Sequence, residues 1–159
     1  MERHNLIESL RALRLHGMVA VYDEAVTKGI RRNNSVQEIL MTLCQAEAAE
    51  RTARSIRYQL SIAKFPVHKN LDTFSFSEAQ VNEKLIKDLY CADFLEEPRN
   101  LVFIGGTGTG KTHLATAIGT QCIRLGKRGR FFSVVNLVNK LEQEKLAGRT
   151  GSLASRLAN

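Results

Sequence analysis

Gly105-Gly106-Thr107-Gly108-Thr109-Gly110-Lys111-Thr112 decides how this chain reads. It has the spacing G-x-x-x-x-G-K-[ST], in which a glycine loop cradles phosphate groups between a strand and a helix. The flanks fit that frame. Asn100-Leu-Val-Phe-Ile-Gly105 before it is a short β-branched and aromatic run, expected to be a buried strand. After it, Leu114, Ala115, Ala117, Ile118 and Cys122 recur at helical spacing. Glycines open backbone angles closed to other residues, so successive N–H groups can turn inward on an anion. A helix beginning near Lys111 adds unpaired donors and the positive end of its dipole. Gly105, Gly106, Thr107, Gly108, Thr109, Gly110, Lys111, Thr112 and the adjacent His113 are therefore the candidate nucleotide contacts. Lys111 is placed to reach the β- and γ-phosphates of ATP, and the Thr112 hydroxyl to ligate magnesium.

The remainder of the 159 residues sets bounds on this reading. With 43% hydrophobic and 25% charged residues, the composition is that of an ordinary globular protein. No apolar run is long enough for a membrane span and the first residues lead into an amphipathic helix, so a cytoplasmic protein is expected. Cys44, Cys91 and Cys122 are odd in number and lack C-x-x-C spacing, and read as reduced, buried small hydrophobes. With His4, His16, His68 and His113 they form no metal-ligand pattern.

Charge is unevenly spread about the net +7. Residues 1–70 hold eleven Lys/Arg against seven Asp/Glu, residues 71–97 two against seven, and residues 98–159 ten against two. Basic ends around an acidic middle point to an anionic partner, nucleic acid first, with solvated surface charge as the alternative.

Three regions are expected. Residues 1–65 read as a helical module: Leu6, Leu10 and Leu13, then Met18, Val21 and Ala25, mark two short helices broken near Gly17 and ended at Gly29. Ser35-Val-Gln-Glu38 is a capping box opening a longer helix to about Leu60, with Val36, Ile39, Leu40, Leu43 and Cys44 inside. Along that helix Arg51, Arg54 and Arg57 recur every third residue and Tyr58 follows. They read either as a row of non-specific DNA phosphate contacts or as favourable charge near a helix C-terminus.

Residues 66–99 read as linker and lead-in. A capping box at Ser77-Glu-Ala-Gln80 opens a helix bearing Val81, Leu85, Ile86 and Leu89, and Glu96-Glu97-Pro98 turns the chain. Residues 100–159 then give strand, phosphate loop, helix, a second strand over Arg130–Val135, and a helix capped by Asn136 with Leu137, Val138 and Leu141 inside. The expected class is α/β: a helical module followed by an incomplete P-loop domain.

Leu15-His16-Gly17-Met18, the Leu71-Asp72-x-Phe74 lead-in and the run from Asn100 to Lys111-Thr-His-Leu-Ala115 together resemble the IstB-type transposition helper ATPases. Those are AAA+ proteins related to the DnaC-type helicase loaders. The resemblance covers essentially the whole chain. It implies a protein that binds ATP and magnesium, self-assembles on DNA and activates the transposase of its insertion sequence. It also implies that Phe74 or a neighbour lines the adenine side. A DnaC-like loader, or a non-hydrolysing ATP- and DNA-binding fragment, are the alternatives.

The family's third strand ends in paired Walker B acids, and no apolar run after Thr112 ends in two acids. Glu142 and Glu144 are the acids downstream, both on an expected helix. By this comparison the chain is a shortened member, without catalytic residues of its own, without the strands that lie between its two strands, and inactive in hydrolysis.

Overall fold

The computed structural model describes residues 2–67, 69–97, 99–148 and 151–158, with the backbone alone at 156 and 158. Pro98 and His68, which entered the expected turn and the histidine count, lie outside the described residues. The chain forms two compact units, Met1–Tyr58 and Gln59–Asn159.

The first unit is built from α1 (Glu2–Ala12), α2 (His16–Arg31) and most of α3 (Val36–Ala63). Its two glycines do something other than break helices. Both lie within α2 and both are buried. A Cβ on Gly17 would stand 2.6 Å from the Ala46 carbonyl oxygen and from the Glu47 Cα, so only glycine lets α2 approach the backbone of α3 this closely. At Gly29 the neighbour is the Ile39 side chain, whose Cδ1 would lie 2.6 Å from an added Cβ. The break falls at 13–15, where Arg14 takes a positive φ of 58°. Arg3 Nε donates to Asp23 Oδ1 at 2.8 Å, tying α1 to α2.

The capping box at Ser35 forms as its sequence predicts: Ser35 N–H donates to Glu38 Oε2 at 2.6 Å, and Glu38 N–H to Ser35 Oγ at 3.3 Å. The buried face of α3 differs from the expected one. Leu43 and Glu47 are buried, whereas Val36, Leu40 and Cys44 are exposed. Cys91 is exposed as well, leaving Cys122 as the one cysteine that behaves as a core residue.

In the second unit, α5 (Lys111–Arg124) is the centre of the core. Leu114, Ala117, Ile118, Cys122 and Ile123 are buried along it. Leu114 and Ala117 pack with Leu71 and with Ile86 of α4 (Glu83–Tyr90), and Ile118 and Cys122 pack with Ala92. The second expected cap shifts by five residues. Residues Phe76–Glu78 form a short 3-10 turn, and Asn82 caps α4 by accepting the Leu85 N–H at 3.0 Å.

The expected α/β class does not hold: among the described residues there is no strand. Residues 101–106 run without regular structure, with Phe103 half-buried against the core, Val102 73% exposed and Ile104 92% exposed. Val134 and Val135, expected in the second strand, open α6 (Val134–Leu146) behind Ser133, so Asn136 lies inside the helix. On α6 Leu137 is half-buried while Val138 and Leu141 are exposed. The physical reason is that a strand exists only as part of a ladder. The Phe131 N–H bonds at 2.7 Å to the Ala63 carbonyl at the end of α3, not to another extended segment. β-propensity without a partner leaves coil or yields to helix. The last helix is α7 (Ser152–Ala158).

Candidate functional site

The phosphate-loop sequence delivers its expected local geometry without a strand before it. Gly108 and Gly110 have φ of 78° and 82°, in the left-handed region that glycine enters freely. Gly110 is the N-cap of α5, and Leu114 N–H is the first to close the helix, onto the Gly110 carbonyl at 2.9 Å. The N–H groups of Lys111, Thr112 and His113 precede it and so have no intrahelical acceptor. They sit at the positive end of a fourteen-residue helix, directly behind two glycines. Gly105 through His113 are thus one continuous loop-to-helix junction.

Two side chains give the loop its shape. Thr109 Oγ1 donates to the Gly106 carbonyl at 2.9 Å, closing the turn across 106–109. The Lys111 ammonium folds back into the loop, donating to the Gly106 carbonyl and, at 3.3 Å, to Thr109 Oγ1. An anion entering the loop would compete for that ammonium with two neutral oxygens, and charge-assisted bonds are the stronger kind. The Thr112 side chain is exposed in the first turn of α5. The described residues hold no group of three or more His, Cys, Asp or Glu able to bind a metal. Magnesium would therefore depend on Thr112 together with phosphate oxygens, and a hydroxyl in the first helical turn is compatible with that.

The sequence could not show what lies against this loop. His113 Nε2 is 2.8 Å from the Asn70 carbonyl oxygen, 43 residues earlier, and 3.4 Å from Thr73 Oγ1. Phe74 meets His113 edge to face at 5.2 Å and Phe76 likewise at 5.0 Å. A Cβ on Gly110 would fall 2.5 Å from Phe74 Cε2, so the lead-in segment forms a wall of the loop. Phe74, expected beside adenine, stands against Gly110 and His113 at the start of α5.

The arginine row lies on α3, in the first unit. Each member has an acidic partner. Arg51 Nε donates to Glu47 Oε1 at 2.8 Å, and Arg54 and Arg57 share Glu50 Oε1 at 3.4 and 3.1 Å. Three positive charges are thus offset by two negative ones. The pairing was readable: Glu47 and Arg51, and Glu50 and Arg54, are four apart with the glutamate first, the favourable order on a helix. Arg51, more than the other attractions at its carboxylate, holds the Glu47 pKa below the usual range, and the Gly17 and Met18 N–H groups add to it. Of the downstream acids, Glu144 Oε2 accepts the Leu153 N–H at 2.9 Å.

Comparison with known proteins shows the family. The family model for IstB-like ATP binding proteins matches residues 8–159. An insertion-sequence ATP-binding protein of Geobacillus stearothermophilus is 37% identical over 118 residues, covering 74% of this chain and 47% of that protein. One from Bacillus thuringiensis is 32% identical over 148 residues, covering 92% and 59%, and one from Pseudomonas aeruginosa is 26% identical over 147, covering 92% and 56%. The chain spans about half the length of these curated relatives. It belongs to the IstB-like ATP-binding family.

Proposed function

We propose that this member of the IstB-like ATP-binding family holds ATP in the Gly105–His113 junction and serves as the nucleotide-dependent helper of an insertion-sequence transposase. The observation that carries the reading is the pair of left-handed glycines set directly before the N-terminus of α5, with Lys111 folded into the same turn. The relatives are named as insertion-sequence ATP-binding proteins, which favours transposition over helicase loading.

In this reading the N–H groups of Lys111, Thr112 and His113 receive phosphate oxygens, and Lys111 exchanges the Gly106 carbonyl for the β- and γ-phosphates. Thr112 would hold magnesium through its hydroxyl, and the ion would supply positive charge to offset that of the phosphates. Hydrolysis requires a positioned acid as well. Glu142 and Glu144 both lie on α6, and Glu144 is engaged with Leu153, so this chain binds nucleotide without turning it over. DNA is the second ligand, met without sequence preference from the arginine row of α3, and self-assembly on it brings the transposase partner into play.

The test is binding of a fluorescent ATP analogue with and without magnesium. Lys111→Ala is expected to abolish binding, and equal binding by both proteins would remove the site assignment. Phosphate release by the purified chain at about 1 per second or faster would overturn the non-hydrolysing reading.

A further inference from the structure

The two glutamates that pair with the arginine row hold it in different ways. Glu47 is 5% exposed. One of its oxygens takes Arg51 at 2.8 Å, while the other takes the Gly17 N–H at 2.7 Å and the Met18 N–H at 3.4 Å. Drawing Arg51 away to a phosphate would leave a buried carboxylate without its cation, which is strongly unfavourable. Arg51 is therefore committed to the fold of the first unit.

Glu50 is different. Its side chain is 35% exposed, and a single oxygen is shared by Arg54 and Arg57 at 3.4 and 3.1 Å. These bonds are long for charge-assisted pairs, and exposed pairs of this kind contribute little against solvent. A guanidinium can exchange such a carboxylate for a phosphate with its planar fork intact. The exchanged Glu50 then remains as a negative charge close to the phosphate it admitted.

We propose that Glu50 is a built-in restraint on DNA binding by α3: it sequesters Arg54 and Arg57, the two residues that meet phosphates, while Arg51 meets none. This rests on the reading of the arginine row as a DNA contact. It separates three arginines that look equivalent in the sequence, and it assigns an opposing role to an acid between them. Such a restraint keeps non-specific affinity low.

The experiment is a salt titration of binding to a fluorescent duplex, using the full chain and the variants Glu50→Gln, Arg51→Gln, Arg54→Gln and Arg57→Gln. Helix content is checked by circular dichroism. Glu50→Gln is expected to bind about fivefold tighter at low salt, the gain from releasing exposed pairs and removing one repelling charge. Arg54→Gln and Arg57→Gln should each flatten the slope of log K against log salt by about 0.9, and Arg51→Gln should leave it unchanged. Wild-type affinity in Glu50→Gln, or flattening by Arg51→Gln equal to the other two, overturns the proposal while DNA binding stands. Absence of duplex binding by every protein at low salt overturns the DNA reading, and the proposal with it.

Discussion

The Glu47 Oε2 accepts the backbone N–H of Gly17 at 2.7 Å across thirty residues of sequence, so the start of α2 is capped by a side chain from α3. The contact needs both residues. Glycine allows the two backbones to touch, and the carboxylate answers the unpaired N–H groups this touch would bury. The Leu15-His16-Gly17-Met18 stretch thus marks a helix crossing, with Gly17 at its closest point.

Gly17→Ala is expected to destabilise the first unit by about 1–3 kcal/mol, the range for forcing an extra methyl into a packed contact. The obstacle is backbone, 2.6 Å away, and cannot move aside. Gly29→Ala meets the Ile39 side chain instead, and gains up to about 1 kcal/mol of helix propensity in return. Urea unfolding followed by the helical circular dichroism signal should therefore rank Gly17→Ala well below Gly29→Ala. The reverse order would show that the helices do not cross at Gly17.

Acid should weaken the same contact. The Glu47 pKa is lowered by Arg51 first and by the Gly17 and Met18 N–H groups next. A carboxylate with a depressed folded pKa contributes stability that is fully present above its unfolded value, about 4.3, and is lost as pH falls through the folded one. The denaturation midpoint should hold steady from neutrality down to about pH 5 and then fall below it. Glu47→Gln should start lower and flatten this acid limb. A limb of unchanged steepness would assign it to other carboxylates, of which Asp23 beside Arg3 and Glu24 beside Lys28 are also lowered.

What the sequence could reveal follows the range of the interactions concerned. The Ser35–Glu38 box and the amphipathic core face of α5 are set within a few residues, and both were legible. The family, too, was legible, from the loop together with its flanking motifs. Strands were not, because apolar runs such as Leu101–Ile104 and Phe131–Val135 show only what a ladder would accept. Whether a ladder forms depends on partners elsewhere. His113 against Asn70, and Phe74 against Gly110, are likewise long-range, and no periodicity announces them. Gly17 and Gly29 mislead for a related reason: a helical glycine looks like a breaker until the neighbour it admits is known.

Thr116 offers a test of the α5 core. It is 1% exposed, and its hydroxyl has no hydrogen-bond partner among the described residues. A buried, unsatisfied hydroxyl costs about 1–3 kcal/mol relative to an apolar group of the same shape. Thr116→Val keeps the branching and removes the hydroxyl, so it is expected to raise stability by about 1 kcal/mol or more. Thermal unfolding would show this as an upward shift. A downward shift would mean that the hydroxyl is satisfied, by water or by its own helix.

Gly110→Ala tests whether the loop geometry itself is what binds nucleotide. Two obstacles meet at this position. The φ of 82° costs an L-residue roughly 1–2 kcal/mol, and the new methyl would stand 2.5 Å from Phe74 Cε2. Phe74→Leu removes the second obstacle and leaves the first. The single Gly110→Ala variant is expected to lose ATP-analogue binding, because a shift in φ here turns the Lys111 and Thr112 N–H groups off the phosphate. Phe74→Leu alone should bind, since no loop donor is touched. The double variant should remain defective, because space has been restored but the backbone angle has not. Recovery in the double variant would make the aromatic wall, and not the left-handed turn, the feature that sets the loop. Unimpaired binding by Gly110→Ala alone would place the phosphates away from the N-terminus of α5.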